Sequence, residues 1–317
     1  MKRHFVIYNP AAGRGRGAKR WNRYRRLLDE SLDSPVFSRT QGPGDERRLA
    51  AKAVDEGFEV IVAVGGDGTL GQVADVLVNS DASAALGVLP NGTGNDFARN
   101  LGIRPNDIDG AVRTLAAGEE RRVDVGHVDT PSRNAAGEER ESFNFLNLVG
   151  IGFDIAVIKA ATRKKWIKGE ALYKVTALEQ LLFFPGIRAE ITGGGEQAAG
   201  ESLSGKFLMV TVTNATYFGG GFPIAPGARA DDGALHLCAI FDSVPIVRMR
   251  LFGRAGKGRH GEMAQVRLAE DTCYRVSCAG PLDFEADGEL RHAPGGEVRA
   301  RIIPGALRAI APDPDGW

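Results

Sequence analysis

The stretch that decides the fold runs from Val60 to Leu70 and reads VIVAVGGDGTL. Its first five residues are all apolar, which is typical of a strand covered on both faces. A glycine-rich turn and then a helical pattern follow, and ligands of open α/β sheets bind beyond such strand ends. Glycine lets backbone N–H groups approach a ligand, and a helix N-terminus attracts anions. The stretch predicts a phosphate-binding loop, the simpler alternative being a tight turn in which Asp67 caps a helix.

Short apolar runs alternate with helical patterns on both sides of this stretch. The predicted strands are Phe5–Tyr8, Val36–Ser38, Val60–Val64 and Ala84–Leu89, and the predicted helices are Trp21–Ser31, Glu46–Glu56 and Leu70–Leu77. Strands separated by helices imply crossover connections and a parallel sheet. Residues 1–125 are therefore predicted to form an α/β domain with a parallel sheet that carries the phosphate site.

From about Val123 the pattern changes to short segments of alternating apolar and polar residues. The predicted strands are Phe143–Val149, Phe207–Thr213, Leu235–Phe241, Gln265–Leu268, Tyr274–Cys278 and Val298–Ile303. The one strong helical pattern here is roughly Gly169–Phe184, and residues 130–141 are expected to form a solvated loop. Residues 126–304 are predicted to form a mostly antiparallel β-sandwich, with residues 305–317 returning to the first domain.

Charge and cysteine content narrow the class of protein. Forty basic and forty acidic residues give no net charge, so no nucleic-acid partner is expected and any membrane contact must be local. Three cysteines without a C-x-x-C pair indicate reduced thiols in a cytosolic protein. The chain has no apolar run of about 18 residues and no signal-peptide core, so a transmembrane helix is not expected.

Two further loops should lie at the same sheet edge. The segment from Leu89 to Arg99 reads LPNGTGNDFAR, offering a glycine-rich backbone, the hydroxyl of Thr93, and Asn95 and Asp96 as helix caps. A capped turn without ligand-binding function is an equally good interpretation of this segment alone. The segment Asn9–Gly13 ends the first predicted strand and is a weak signal by itself.

Several familiar sites are absent from the sequence. It contains no G-x-x-x-x-G-K-[ST] loop, and the glycines from Gly13 to Gly17 lack the dinucleotide-binding spacing. The five histidines are scattered without the spacing of zinc ligands. No serine nucleophile elbow occurs. These absences argue against a P-loop enzyme, a Rossmann dehydrogenase and a serine hydrolase.

Taken together, the motifs resemble the diacylglycerol-kinase catalytic domain family. The segments that carry the resemblance, in family order, are GGDGTL at 65–70, LPNGTGNDFAR at 89–99, GIGFD at 150–154, GGG at 219–221, AP at 225–226, DDG at 231–233 and DGE at 287–289. The resemblance covers nearly the whole chain. It implies ATP and Mg²⁺ as cosubstrates, and a cleft between two domains.

The resemblance also implies roles for individual residues. The nucleotide would be bound by Asn9, Pro10, Ala11, Ala12, Gly13, Thr40, Gly65, Gly66, Asp67, Gly68, Thr69, Leu70, Gly71, Thr93, Asn95 and Asp96. Asp67 would organise Mg²⁺–ATP, and Glu289 would be the general base, with Asp287 as the competing candidate. Asp232 would bind a metal together with the carbonyls of Arg229 and Ala234. A structural role in a turn is the alternative for both the DDG and DGE segments.

The chain departs from the family pattern near the first loop. Gly71 and Gln72 stand where members usually have Asn-Glu, and Ala12 stands where many have Ser. The expected reaction is phosphorylation of a membrane lipid, diacylglycerol giving phosphatidic acid. Phosphatidylglycerol or a sphingoid base is also compatible. The alternatives are a soluble NAD kinase, which shares only GGDGT, and a catalytically silent nucleotide- or lipid-binding protein.

A basic-aromatic segment suggests how the protein reaches its substrate. Residues 163–168 read RKKWIK, which is typical of a patch facing an anionic membrane, although a solvated charge run is nearly as good an interpretation. The protein is therefore expected at the cytoplasmic face of the membrane, peripherally attached. The sequence leaves a homodimer open.

Overall fold

The computed structural model describes residues 2–15, 17–80, 83–131, 141–163, 170–194 and 202–313. The strands β1–β17 are, in order, His4–Tyr8, Val36–Arg39, Val60–Gly65, Ala85–Pro90, Glu120–Asp129, Ser142–Phe145, Leu148–Gly152, Ile187–Gly193, Ser202–Thr213, Tyr217–Phe218, Phe222–Pro223, Leu235–Phe241, Val266–Asp271, Cys273–Ser277, Leu282–Ala286, Glu289–Ala293 and Glu297–Ile310. The helices α1–α8 are Gly17–Ser31, Asp45–Asp55, Asp67–Val78, Asp96–Asn100, Ile108–Ala117, Phe153–Arg163, Glu170–Phe183 and Pro245–Ala255.

The first half is an α/β domain built on a parallel sheet, as the alternating pattern predicts. Its strand order is β2-β1-β3-β4, with all neighbours parallel. Strands β3 and β4 are buried at every position, which explains their continuous apolar runs. Helices α1, α2, α3 and α5 supply buried apolar side chains to the same core. The carboxyl ends of these strands point to one edge, where the glycine-rich segments lie.

The second half is a β-rich domain of mostly antiparallel strands, and one long strand joins it to the first half. Strand β17 pairs antiparallel with β14 through its first residues and parallel with β4 at Ala309 and Ile310. It also pairs with β5 along most of its length, with a register shift between Ile303 and Leu307. In the part of the chain described, fifteen strands thus form one continuous sheet. The two halves share backbone hydrogen bonds rather than a flexible linker.

Two elements differ from the sequence-based expectation. The predicted strand Phe143–Val149 is broken into β6 and β7, because the backbone between them turns to meet the Asp287 side chain. The second half also contains α6 and α8 in addition to the predicted helix, which corresponds to α7. The sequence of α8 alternates apolar and basic residues without a wide apolar stripe, so its pattern is weak. Among the described residues, no helix is long and apolar enough to cross a bilayer.

Candidate active site

The loops that follow β3 and β4 touch one another at the sheet edge. Gly65 pairs with Pro90 at the strand ends, and the N–H of Asn91 donates to the carbonyl of Gly65 at 2.7 Å. One residue further on, a Cβ atom on Gly66 would lie 3.1 Å from the Cα of Gly92, and a Cβ on Gly92 would overlap Gly66. Only glycine at both positions allows this approach. The two glycine-rich segments therefore form adjoining walls of one depression.

The loop after β1 is tied to the first wall by a buried polar network. The Nδ2 of Asn9 donates to Thr69 Oγ1 at 3.0 Å and to Glu46 Oε1 at 2.9 Å, while its Oδ1 accepts the N–H of Ala11 at 2.9 Å. Thr69 and Glu46 are both 4% exposed. Sequence reasoning missed Glu46, because a glutamate early in a surface helix looks like an ordinary solvated residue. This network fixes the Asn9 loop against the first turn of α3.

The remaining predicted nucleotide residues lie around these walls, with one difference. Gly13 has a φ of 64°, and a Cβ there would lie 2.8 Å from the carbonyl oxygen of Asn91, so this loop packs on the second wall. The N–H of Thr40 donates to the carbonyl of Tyr8 at 2.9 Å. The predicted nucleotide residues with at least partly exposed surfaces are Asn9, Pro10, Ala11, Ala12, Gly13, Gly66, Asp67, Gly68, Gly71 and Thr93. Leu70 is fully buried in the core, so its side chain cannot touch a ligand.

Asp67 holds the second wall in place. It is the first residue of α3, and its carboxylate accepts the N–H groups of Asn95 at 2.7 Å and Phe97 at 3.1 Å. Asn95 occupies the N-cap position of α4 as expected, but its side chain makes no capping hydrogen bond, and the Asp67 carboxylate accepts the N–H groups of Asn95 and Phe97 instead. Asn95 adopts a φ of 55° and turns its side chain back to bond both backbone groups of Gly92. Asp67 thus sets the relative position of the two glycine-rich segments.

Asp96 connects the loops to the second half of the molecule. Its Oδ2 accepts the N–H of Gly220 at 2.8 Å, whereas its buried Oδ1 has no hydrogen-bond partner among the described residues. Burial raises the pKa of Asp96, and the charge of Asp67 raises it further. Close by, Asn100 exchanges hydrogen bonds with both backbone groups of Tyr217. The loop that contains the GGG segment therefore lies against the phosphate loops across a cleft.

The DGE segment forms a tight turn on the second-half side of this cleft. Asp287 and Gly288 connect β15 to β16 with φ values of 50° and 85°. The Asp287 carboxylate accepts three backbone N–H groups, from residues 146, 147 and 148, at 2.6, 2.8 and 3.1 Å. Enclosure of this carboxyl raises its pKa to about 6, overcoming these hydrogen bonds, and the charge of Asp67 adds to the increase. The turn is also linked to α4, because Asn147, whose N–H Asp287 accepts, receives a hydrogen bond from Asn100 at 3.1 Å.

Glu289 has a different environment from Asp287. It begins β16, its side chain is 58% exposed, and its carboxylate pairs with Arg291 at 2.8 Å. Glu289 thus keeps an exposed carboxylate, whereas both oxygens of Asp287 are engaged by backbone N–H groups. The structure thus separates two carboxylates that the sequence presents side by side, one that holds the turn and one that faces outward.

A buried pair of carboxyl groups lies directly behind the turn. Asp154, from the GIGFD segment, and Glu285 on β15 are 4% and 1% exposed. The Oε2 of Glu285 accepts the N–H of Gly288 at 2.9 Å, and a Cβ on Gly150 would overlap the Asp154 carboxylate. Burial raises the pKa of both carboxyl groups, and the charge of Asp154 raises that of Glu285 further. The GIGFD motif is visible in the sequence, but a role for Asp154 is not, because its partner Glu285 is distant in the chain.

Asp232 lies at the junction between the halves. Its oxygens accept the N–H groups of Arg229 at 2.9 Å and Ala234 at 3.1 Å, and His236 Nε2 lies 2.9 Å from one of them. Arg229 and Ala234, the two predicted partners, therefore lie next to Asp232, but they contact it through their N–H groups and not their carbonyls. Their role in metal binding stays a prediction. No three His, Cys, Asp or Glu side chains converge on a metal-sized site within the described ranges. The predicted basic segment at 163–168 lies outside the described residues apart from the helix end at Arg163.

Comparison with known proteins agrees with this arrangement. The family profile "Diacylglycerol kinase catalytic domain" matches residues 3–128, and "YegS C-terminal NAD kinase beta sandwich-like domain" matches residues 147–311. A YegS-like lipid kinase of Pseudomonas aeruginosa is 32% identical over 85% of this chain and 82% of its own length. A diacylglycerol kinase of Bacillus subtilis is 29% identical over 91% of this chain and 90% of its own.

Solved structures show the same fold. A diacylglycerol kinase from Bacillus anthracis superposes with a TM-score of 0.73 at 20% identity, covering 100% of this chain and 98% of that one. Yeast NADH kinase in complex with NADH gives a TM-score of 0.55 at 9% identity, covering 100% and 85%. The profiles, the relatives and the two-domain architecture agree with one another, and the chain belongs to the diacylglycerol kinase catalytic domain family of lipid kinases.

Proposed function

We propose that this protein transfers the γ-phosphate of ATP to a hydroxyl group of a membrane lipid, with diacylglycerol as acceptor and phosphatidic acid as product. The observation that carries the proposal is the DGE turn. Asp287 and Glu289 come from the second half of the chain, yet Asp287 accepts the N–H of Asn147 at 2.8 Å, and the Asn147 side chain accepts from Asn100 at the end of α4 at 3.1 Å. A kinase needs this combination of a phosphate cradle and a carboxylate near the acceptor.

The phosphate loops would position the nucleotide. Backbone N–H groups after β3 and the N-terminus of α3 attract phosphate oxygens, because they supply unpaired donors and a partial positive charge. Gly68 and Gly71 have open space where a side chain would stand, which leaves room for a ligand against the helix. Phosphoryl transfer depends mainly on such positioning and on charge neutralisation.

Glu289 would take up the proton. The acceptor oxygen forms a bond to the γ-phosphorus while the bond from that phosphorus to the ADP oxygen breaks, and the hydroxyl proton passes to the Glu289 carboxylate. Asp287 does not take this role in the proposal, because three backbone N–H groups already occupy its oxygens. Instead it fixes the turn from which Glu289 extends.

The residues around Asp67 fit a magnesium ion that accompanies ATP. Asp96 has a buried carboxylate oxygen without a partner among the described residues, and its pKa is raised partly by Asp67. A divalent cation would relieve this accumulation of negative charge, so Asp67 and Asp96 are the residues that would hold it. When bound, Mg²⁺ neutralises phosphate charge.

The second half offers space for the apolar part of a lipid. A cavity of about 420 Å³ lies beside α6, at the end of β15 opposite to the DGE turn. Its lining includes Ile155, Leu282 and Phe184, with Lys159 and Arg188 among the polar groups. Along β15, Asp283 at this cavity is four residues from Asp287, roughly 13 Å at strand spacing. That distance is compatible with a lipid whose polar group reaches the turn while its chain occupies the cavity.

The acceptor can be identified directly. Purified protein would be incubated with labelled ATP, Mg²⁺ and, separately, diacylglycerol, phosphatidylglycerol, sphingosine and NAD. We expect labelled phosphatidic acid from diacylglycerol. A label on another lipid would replace diacylglycerol as the acceptor, and a label on NAD would favour the NAD kinase alternative. No label with any acceptor, although ATP binds, would favour a catalytically silent protein.

A further inference from the structure

Exposed apolar side chains concentrate on two neighbouring helices of the second half, α7 and α8. The side chains and their exposed fractions are Leu178 51%, Phe183 77%, Val244 59%, Ile246 71%, Met249 47% and Phe252 43%. The helices are joined where Arg248 donates to the carbonyl of Leu181 at 3.1 Å. We call these six side chains the α8 patch. Exposed apolar side chains clustered on neighbouring elements mark a site of interaction more often than a scattered apolar residue does.

Ile246 and Met249 of the patch do not contribute to the packing face of α8. Arg248, Leu251 and Ala255 form the buried face of this helix. Ile246 and Met249 are three positions apart, so they project on the side away from that face. A surface helix normally carries polar residues there. Helix α8 thus holds its place in the fold through one side and presents apolar side chains on the other.

The cations beside α8 are not all balanced by carboxylates, and Glu179, an exposed carboxylate beside Leu178 on α7, already has an interaction of its own. Arg250 and Lys257 are exposed, and neither has an ion pair among the described residues. The carboxylates closest in sequence are already engaged: Asp242 pairs with Lys206 and Arg248, and Glu262 with Arg254 and Arg259. Because the whole chain has no net charge, this is a local excess of positive charge. Apolar side chains beside unpaired cations complement a bilayer that contains anionic lipids.

The patch is also close to the cleft. The ring of Phe252 lies 5.4 Å from that of Phe222, on the hairpin formed by β10 and β11. The same hairpin carries Gly220, whose N–H binds Asp96 at the edge of the phosphate loops. One short hairpin therefore connects the patch to the cleft. A surface in this position would hold the cleft near a membrane in which the acceptor is dissolved.

We propose that the α8 patch docks the protein on an anionic lipid bilayer by inserting its apolar side chains among the lipid headgroups. This inference rests on the proposed function, because a membrane-dissolved acceptor is what makes docking useful. It differs from the sequence-based expectation of a basic segment at 163–168, since the patch consists of apolar side chains on α7 and around α8. The occupant is the bilayer surface itself, not a single lipid molecule in a pocket.

The test compares two double variants in a vesicle-binding assay. The variant Ile246→Ser with Met249→Ser removes apolar side chains from the patch, and Val36→Ser with Leu268→Ser removes exposed apolar side chains elsewhere. With vesicles of phosphatidylcholine and phosphatidylglycerol at about 7:3, we expect the first variant to bind at least about tenfold more weakly than the parent and the second to bind equally well. Arg250→Ser should weaken binding at low salt and flatten its salt dependence.

Activity on a short-chain, water-soluble diacylglycerol separates the two proposals. If the α8 variant keeps that activity but loses vesicle binding, docking is supported. If it binds vesicles like the parent while the enzyme is active, the docking inference is wrong and the proposed function stands. If no lipid is phosphorylated but the variant loses vesicle binding, only the proposed function fails. Loss of a dimer in light scattering, or loss of vesicle binding only when Lys164, Lys165 and Lys168 are replaced, would also overturn the inference.

Discussion

Glu289 and Asp287 stand two residues apart, and the structure gives them opposite environments. Replacing Glu289 with Gln keeps the size of the side chain but removes its ability to accept a proton. We expect kcat to fall by at least ~100-fold, because a positioned general base contributes about 10²–10⁴-fold. The affinity for ATP should be nearly unchanged, since the phosphate loops are intact. Turnover with diacylglycerol and calorimetric ATP binding measure the two quantities.

Two further variants make this prediction decisive. Glu270→Gln removes an exposed carboxylate on β13 and should leave turnover unchanged. Asp287→Asn should lower the melting temperature, because an amide places its NH₂ group against backbone N–H groups at residues 146–148. Normal turnover in Glu289→Gln, together with a folded but inactive Asp287→Asn, would move the general base to Asp287.

The buried pair of Asp154 and Glu285 makes stability depend on pH. Burial raises the pKa of Asp154 from 3.8 to about 6, so the native state holds this proton more tightly than the unfolded chain. The stabilisation of the native state by protonated Asp154 is therefore complete below the pKa that Asp154 has in the unfolded chain. It is lost as the pH rises through about 6, the pKa in the native state. Asp154→Asn should increase the free energy of unfolding at about pH 8 by roughly 1–3 kcal/mol, and by less at about pH 5.

Asp283 provides the control with the opposite sign. Although partial burial acts to raise its pKa, Lys159 and His292 lower it overall. The stabilising effect of ionised Asp283 is thus present above the pKa that Asp283 has in the unfolded chain. It is lost as the pH falls through its lower pKa in the native state. Asp283→Asn should therefore destabilise the protein at about pH 8 and have little effect at strongly acidic pH. Thermal unfolding of both variants between acidic pH and about pH 8 measures how each substitution changes stability. If the change depends on pH in the same way for Asp154→Asn and Asp283→Asn, Asp154 is not uncharged in the native state.

The two glycine-rich loops act as one element because they meet at Gly66 and Gly92. A methyl group on Gly92 would overlap the backbone at Gly66, so Gly92→Ala must push the loops apart. We expect ATP affinity to fall more than tenfold, which corresponds to about 1.4 kcal/mol, while the protein remains folded. Gly253→Ala is the matched control, because a Cβ there meets nothing within 4 Å and Gly253 lies on α8 in the second half. Equal ATP affinity in the Gly92 variant by calorimetry would remove this contact from the site.

Sequence patterns predict elements well where one physical cause dominates. The fully apolar run at Val60–Val64 lies within β3, and the alternating run at Leu235–Phe241 is β12 itself. The pattern could not show the break between β6 and β7, since it depends on Asp287, which is 141 residues away from Leu146. The site loops were predictable because each follows directly on a strand at the sheet edge. Glu46 and the Asp154–Glu285 pair required the tertiary structure, because their partners are distant in the chain.

At the scale of the whole molecule, β17 couples the two halves. Its early residues Val298 and Ala300 lie in the core of the second half, and Leu307 and Ala309 lie in that of the first. Leu307→Ala should cost about 2–5 kcal/mol, because Leu307 is 1% exposed and leaves a cavity. We expect a single unfolding transition at a lower temperature, detected equally by calorimetry and by Trp21 fluorescence in a background with Trp166→Phe and Trp317→Phe.

The matched control is Leu268→Ala, which alters an exposed side chain and should change the free energy of unfolding by less than about 0.5 kcal/mol. A variant in which Trp21 fluorescence changes early, while the heat absorption of the second half keeps its parental temperature, would show that the halves unfold separately. The shared strand would then transmit little stability between them.

The pairing of β4 with the end of β17 also matters during synthesis. Ribosomes release the first half of the chain long before Ala309 and Ile310 exist, so β4 initially has one edge without its strand partner. An open, apolar strand edge is a template for pairing with other chains. A nascent first half should therefore depend on chaperones, or on slow translation of the second half, to avoid aggregation. The order in which the chain emerges, and not only its final stability, would then limit how much folded enzyme a cell obtains.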